Sequence, residues 1–200
     1  MKNLEIKRKI AHLSTGLFII LTIHYKILEQ KYIFFLLIFF LIISFLSLKV
    51  KIPIINFLLE NFEREKDKKK FPFKGMIFFL GGCLLSLKLF SLDIALASIT
   101  ILTLGDSISH ISGKIIGKHQ LKFNRLKKLE GILTGALFAF IGSLFFVNVT
   151  EGFFGSLLAM IIEGAGFKIG VNDIDDNFIV PLVAGTVMYL IRTQFSIFIL

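Results

Sequence analysis

Residues 103–119 read TLGDSISHISGKIIGKH. The segment leaves an apolar run, ends in basic sequence, and governs how the rest of the chain is read. At about 100° per residue, Ser109, His110, Gly113 and Gly117 all fall within about 60° of Asp106 on a helix. One stripe therefore carries a carboxylate, two polar side chains and two residues with no side chain. Small residues four apart form a seam along which membrane helices pack, within one chain or between copies. Packing alone leaves Asp106 unexplained. Glycines also let a phosphate approach the backbone, and an aspartate can hold the Mg²⁺ that accompanies a nucleotide.

The surroundings of this stripe are those of a membrane protein. The 200 residues are 55% hydrophobic, with 24 Phe and no Trp, and the mean hydropathy is +0.81. The apolar runs approach the roughly 20 residues a helix needs to cross a bilayer. No alternating ~10-residue segments indicate an outer-membrane barrel. The expectation is an all-α, polytopic integral membrane bundle, a single domain over 1–200. Helices are expected at about 9–25, 32–48, 74–90, 92–112, 131–149, 152–167 and 177–193, with a short interfacial helix over 52–62 opened by Pro53. The first apolar run is interrupted by His12, Ser14 and Thr15 and has no small-x-small cleavage site after it, so it is expected to stay as a helix.

Charge sets the expected orientation. Seven crossings with a cytoplasmic N-terminus place 19 of the 23 Lys and Arg on one side, as the retention of cations in the cytoplasm requires. They lie before the first helix and in loops at about 49–74, 113–130 and 168–176. The net charge of +9 then attracts anionic lipid headgroups. No nucleic-acid-binding module accompanies it, so nucleic acid is not an expected partner. The lone Cys83 forms no internal disulfide and excludes a multi-cysteine zinc site.

On this topology most of the remaining acids gather at one face. Asp106, Glu130, Glu163, Asp173, Asp175 and Asp176 fall at or near cytoplasmic helix ends, whereas Glu29, Asp93 and Glu151 lie opposite. Ionisable groups at membrane depth are costly and mark functional sites. Lys127 and Lys128 stand before the helix that Gly131 opens, where cations can neutralise phosphate charge. Glu130 can bind metal, orient a lysine or simply begin the helix. Acids before a helix suit its dipole, but three aspartates and Asn177 in NDIDDNFIVPL (172–182) exceed that need. Hard oxygen ligands suit Mg²⁺. In RKIAH (8–12), His12 follows Arg8 by one turn and is a candidate proton acceptor. No P-loop, H-E-x-x-H or kinase catalytic-loop motif is present.

The order RKIAH, FER, FPFKGMIFFLGG, LTLGDSISHISGKIIGKH, KKLEG and DDNFIVPLVAG resembles the polyprenol kinase family, which includes dolichol kinase, phytol kinase and CTP-dependent diacylglycerol kinase. The resemblance covers nearly the whole chain. The stripe is also similar to that of phosphatidate cytidylyltransferase. That enzyme usually has serine-proline-lysine-lysine-threonine before the glutamate; this chain lacks the serine-proline and has Lys128 where serine or threonine is common. The resemblance implies transfer of phosphate from CTP to a membrane lipid alcohol such as dolichol at the cytoplasmic face. It implies metal ligands among Asp106, Glu163, Asp176 and Asn177. It implies phosphate contacts from Gly105, Ser109, Gly113, Lys114, Gly117, Lys127, Lys128, Glu130 and Gly131. Asp106, Asp175 or His12 would take the alcohol proton. The alternatives are a CDP-lipid synthase and a non-enzymatic transporter or scaffold; against the transporter, the ionisable groups sit at one face and no internal repeat is evident.

Overall fold

The computed structural model describes residues 2–50, 52–121, 124–166, 168–169, 172–173 and 175–197, with backbone alone at 2–3, 168–169, 172–173 and 195–197. Helices α1 (Lys2–His24), α2 (Gln30–Ser47), α3 (Pro53–Phe62), α4 (Glu65–Lys68), α5 (Lys74–Leu89), α6 (Leu92–Ile115), α7 (Leu129–Ser143), α8 (Val149–Ala165) and α9 (Asp176–Ile197) make up most of the chain. Among the described residues, the extended exceptions are a two-residue antiparallel pair, Lys168–Ile169 with Asn172–Asp173, and a bridge between Gln120 and Lys128.

The bundle is built around α6. From Ile94 to Thr103 every residue of this helix is buried, and α1, α5, α7, α8 and α9 pack around it. A helix buried on all sides has nowhere to solvate its hydroxyls. Ser98 Oγ accordingly donates to Ala95 O at 2.8 Å and Thr100 Oγ1 to Leu96 O at 2.8 Å, as polar residues do inside apolar bundles.

The small-residue stripe of α6 faces α7. A Cβ on Gly135 would come within 2.7 Å of both Gly105 O and Ser109 Cβ, and one on Gly113 would lie 3.6 Å from Gly131 Cα. Ser112 and Thr134 join their hydroxyls across the same seam. The packing reading of the stripe is therefore realised within one chain, between α6 and α7.

Where helices meet elsewhere, local sequence fixes the approach. Pro181 inside α9 has no N–H for the carbonyl of Asn177, four residues back. That carbonyl lies against Gly82 of α5, where any Cβ would collide with it. Phe73, the residue before α5, has φ 59°, a left-handed conformation rare for a bulky side chain. It is held there by Phe40, 5.6 Å away ring to ring, and by Ile55, Leu59 and Ile77.

Helices α2 and α6 are long and apolar enough to cross a membrane, and α7 is a shorter apolar helix. They differ in setting: α6 is enclosed, whereas Phe34, Phe35, Phe39, Ile42 and Phe45 of α2 point outward, each about half exposed or more. Apolar faces also look outward on α1, α3, α7 and α8. Extensive apolar exposure of this kind marks an interaction or membrane-facing surface. The expected helix at 131–149 ends at Ser143 and the next begins at Val149, where Asn148 caps it by accepting from Glu151 N at 2.9 Å.

Candidate active site

Asp106 lies two-thirds of the way along α6 and is 2% exposed. Its side chain forms an ion pair with Lys9 of α1. His12, three residues further on α1 and so on the same helix face, places Nδ1 4.0 Å from Asp106 Oδ2 and 3.3 Å from Ser107 Oγ. The opposite ring nitrogen, Nε2, is buried without a hydrogen-bond partner, and the ring rests edge-on against Phe79 at 4.5 Å.

One turn along α6, Ser109 carries the cluster toward α8. Its hydroxyl lies 3.2 Å from Asp106 O and 3.3 Å from Glu163 Oε1. Glu163, with no solvent exposure, pairs with Lys127, and its Oε2 is buried without a partner. Lys127 Nζ also stands 3.9 Å from Asp176 Oδ2 at the start of α9. Burial by itself would push the Lys127 ammonium down, but Glu163, Asp106 and Asp176 together hold it above its ordinary value. Two ammonium groups thus face three carboxylates contributed by α6, α8 and α9.

The basic loop reaches inward because it is folded on itself. Leu129 N donates to His119 O at 2.9 Å and Lys127 N to Asn124 O at 3.0 Å, while Asn124 Nδ2 ties the loop to Gly164 O at 3.2 Å. Glu130 clasps the other end, accepting from His119 N at 3.1 Å and lying 2.5 Å from its Nδ1.

The predicted site residues therefore divide. Asp106, Ser109, Lys127, Glu163, Asp176 and His12 come together. Asn177 adjoins them, donating from Nδ2 to Gly75 O at 3.2 Å. Asp175 caps α9, accepting from Asn177 N at 3.2 Å, and burial raises its pKa. Gly105, Gly113, Gly131 and the backbone around Gly117 are engaged in packing: a Cβ at Gly105 would meet Met160 Sδ at 2.5 Å, and one at Gly117 would meet Lys128 Cβ at 2.7 Å. Lys128 covers Gly113 and Gly117, and Lys114 is exposed at the end of α6. Glu130 belongs to the loop clasp. The side chain of Asp173 lies outside the described residues.

Lys9 and Ser107 are the members that sequence reasoning missed. The signal for Lys9 is its position three residues before His12. Arg192 is a second omission. It donates to Glu151 Oε1 at 2.9 Å and Oε2 at 2.7 Å and to Asp93 Oδ2 at 2.6 Å, at the opposite end of the bundle. An arginine late in an apolar helix calls for such partners.

Beside the cluster, a cavity of about 260 Å³ opens between α1, α2, α3 and α5. Phe40, Phe73 and Met76 supply apolar lining; Arg8, Lys9, His12, Glu63 and Asn177 supply polar groups. His12 thus belongs both to the cluster and to the cavity.

Among the described residues no three carboxylates or histidines already converge as a metal cage. The donor set nevertheless suits Mg²⁺ bound with a nucleotide. That ion takes one or two carboxylates and completes its shell with phosphates and water. The cluster offers hard oxygens in excess of its lysines and an unpartnered Glu163 oxygen.

No protein-family description matches the chain, and no solved structure matches it. It is similar to the CTP-dependent diacylglycerol kinase 1 of Schizosaccharomyces pombe, at 27% identity over 143 residues, covering 63% of this chain and 64% of that protein. The chain thus spans less than two-thirds of the length of the curated relative it matches.

Proposed function

We propose that this protein is a CTP-dependent lipid-alcohol kinase, transferring phosphate to a polyprenol such as dolichol or to another long-chain lipid alcohol. The observation that carries this reading is the meeting of buried Asp106 and Glu163 with the partly buried Lys127 and Asp176 in one cluster, with His12 linking it to an amphipathic cavity. Transferring a phosphoryl group asks mainly for positioning and charge stabilisation, which buried opposed charges provide. The choice of CTP as donor rests on the likeness to the yeast enzyme.

In the proposed reaction the lipid hydroxyl oxygen bonds to the γ-phosphorus, the bond from that phosphorus to the bridging oxygen breaks, and CDP leaves. The hydroxyl proton passes to a side-chain base. His12 is the best placed, because Asp106 is paired with Lys9 and Asp175 caps α9. Lys127 and Lys9 are proposed to exchange part of their carboxylate pairing for phosphate oxygens, with Lys128 and Lys114 nearer the loop surface. Asp106, Glu163 and Asp176, with Asn177 beside them, would hold Mg²⁺, which supplies positive charge to the β- and γ-phosphates when bound. The glycines act in this scheme by bringing α7 close to α6.

We further propose seven crossings, α1, α2, α5, α6, α7, α8 and α9, with the N-terminus and the cluster on the cytoplasmic side, next to anionic headgroups. The distribution of Lys and Arg supports this orientation. The test is an assay of the purified protein in detergent with Mg²⁺ and γ-labelled CTP, offering dolichol, geranylgeraniol, diacylglycerol or phosphatidate. Label in a lipid phosphate with stoichiometric CDP is expected. Label found only in pyrophosphate would overturn the kinase reading in favour of a cytidylyltransferase.

A further inference from the structure

The two ion pairs of the cluster are neighbours, and their arrangement decides how a metal ion can enter it. Ser109 joins them: its hydroxyl lies 3.2 Å from Asp106 O and 3.3 Å from Glu163 Oε1. Lys9 holds Asp106 from α1, and Lys127 holds Glu163 from the loop before α7. Lys127 also answers a second acid, its Nζ standing 3.9 Å from Asp176 Oδ2. One ammonium thus serves the carboxylates of both α8 and α9.

That position is the one a divalent cation needs. Mg²⁺ takes carboxylate oxygens at about 2.0–2.1 Å in near-octahedral geometry. An ion shared by Glu163 and Asp176 would therefore meet the Lys127 ammonium. The unpartnered Oε2 of Glu163 gives no way round, because it belongs to the carboxylate that Lys127 already holds. Like charges so close repel strongly where little water screens them. Asp106 is answered in the same way by Lys9.

A polyphosphate changes that balance. Its oxygens accept from both ammonium groups, and Lys127 can turn toward them without moving its loop. The backbone there is held separately, by Lys127 N on Asn124 O at 3.0 Å and by Asn124 Nδ2 on Gly164 O at 3.2 Å. The side chain is a flexible four-carbon stem with three rotatable donors. Asp176 is the most open of the three acids, its side chain 34% exposed against 3% for Asp106 and 0% for Glu163. A ligand therefore meets the cluster on the side that Lys127 and Asp176 share. Once the ammonium has moved onto phosphate, Glu163 and Asp176 are released together.

We propose that Lys127 gates a divalent-cation site made by Glu163 and Asp176. The protein alone has little affinity for Mg²⁺; a nucleoside triphosphate that draws Lys127 onto its phosphates opens the site, so that metal and nucleotide bind as partners rather than metal first. The identity of the polyphosphate rests on the kinase reading, whereas the block by Lys127 does not.

Mn²⁺ is the probe, in equilibrium dialysis of the full chain in phosphatidylcholine nanodiscs with labelled Mn²⁺, with or without CTP, and no acceptor alcohol. Wild type should retain little Mn²⁺ alone, and CTP should increase the retention about 5-fold or more at equal free Mn²⁺. Lys127→Met should bind Mn²⁺ without nucleotide about tenfold or more tighter than wild type, and adding Glu163→Gln should remove that gain. Thermal unfolding gives a second readout: Mn²⁺ should raise the midpoint of Lys127→Met and leave wild type unmoved. Tight Mn²⁺ binding by wild type alone, or a folded Lys127→Met that binds no better than wild type, would overturn the gate. A gain in Lys127→Met that survives Glu163→Gln would refute the location. Where Lys127→Met does not fold even with Mn²⁺, the wild-type comparison decides, and no increase with CTP sinks the proposal. If Lys127→Met gains Mn²⁺ while CTP does nothing to wild type, the gate stands and the nucleotide reading falls.

Discussion

At the scale of single residues, the cluster is organised around charges that cannot be removed singly. Glu163 is wholly buried and has Lys127 as its ion-pair partner. Replacing Lys127 with Met strands that carboxylate, and breaking a buried pair from one side costs about 3–5 kcal/mol. Lys127→Met should therefore lose both turnover and stability, whereas adding Glu163→Gln should recover stability without recovering turnover. Thermal unfolding in detergent beside the kinase assay measures both; a double variant no more stable than Lys127→Met would refute the pairing as the cause. Asp106→Asn keeps the shape and removes the charge that Lys9 answers. It should still insert and fold, at some cost in stability because Lys9 loses its partner, yet lose activity, and full activity would exclude Asp106 from metal or phosphate chemistry. Aspartate 106 was legible in the sequence because a carboxylate in an apolar run is conspicuous. Lysine 9 was not, since its pairing with a residue 97 positions away depends on how α1 lies against α6.

At the scale of elements, the seam between α6 and α7 sets where Asp106 and Ser109 stand. Gly135 is the position to probe, because a Cβ there would press on Gly105 O, Ser109 Cβ and Met160 Cε at 2.7, 2.7 and 2.9 Å. Two of these three atoms belong to α6, one of them backbone, so relief requires the helix to move. Gly135→Ala should cost about 1–3 kcal/mol, the usual range for overpacking, and should also reduce kcat by shifting the turn that carries Asp106. Differential scanning fluorimetry with steady-state kinetics checks this; a stable and fully active variant would show that the seam has slack. The small-residue spacing alone left packing and phosphate contact both open. The structure fills the seam with α7, so within the proposed site the cations and carboxylates are left to face the nucleotide.

At the scale of the whole molecule, the same three helices carry a polar cluster at each end. Asp106, Glu163 and Asp176 lie at one, and Asp93, Glu151 and Arg192 at the other. Along α6 the 13 residues from Asp93 to Asp106 span about 20 Å at 1.5 Å per residue, a large part of the roughly 30 Å hydrocarbon thickness. The far cluster reads as a staple that fixes α9 antiparallel to α6 and α8. Arg192→Leu leaves Glu151, 2% exposed, without its bidentate partner. It should destabilise the bundle by about 3 kcal/mol, and Glu151→Leu in the same chain should restore much of the loss. Thermal unfolding of the single and double variants decides it; an additive loss in the double variant would contradict the staple.

The amino-acid sequence by itself determined that the chain is helical, where most helices begin and end, and that acids and cations gather near particular helix ends. Apolar run length, proline, glycine and charge are local quantities, and each acts within a turn or two. The tertiary structure decided which of those groups meet: that Lys9 answers Asp106, that Lys127 reaches Glu163 and Asp176 while Glu130 turns to His119, and that a cavity opens beside His12. Such pairings depend on helices distant in sequence approaching within a few ångströms, and that approach is set by the shapes of the faces they bury against one another.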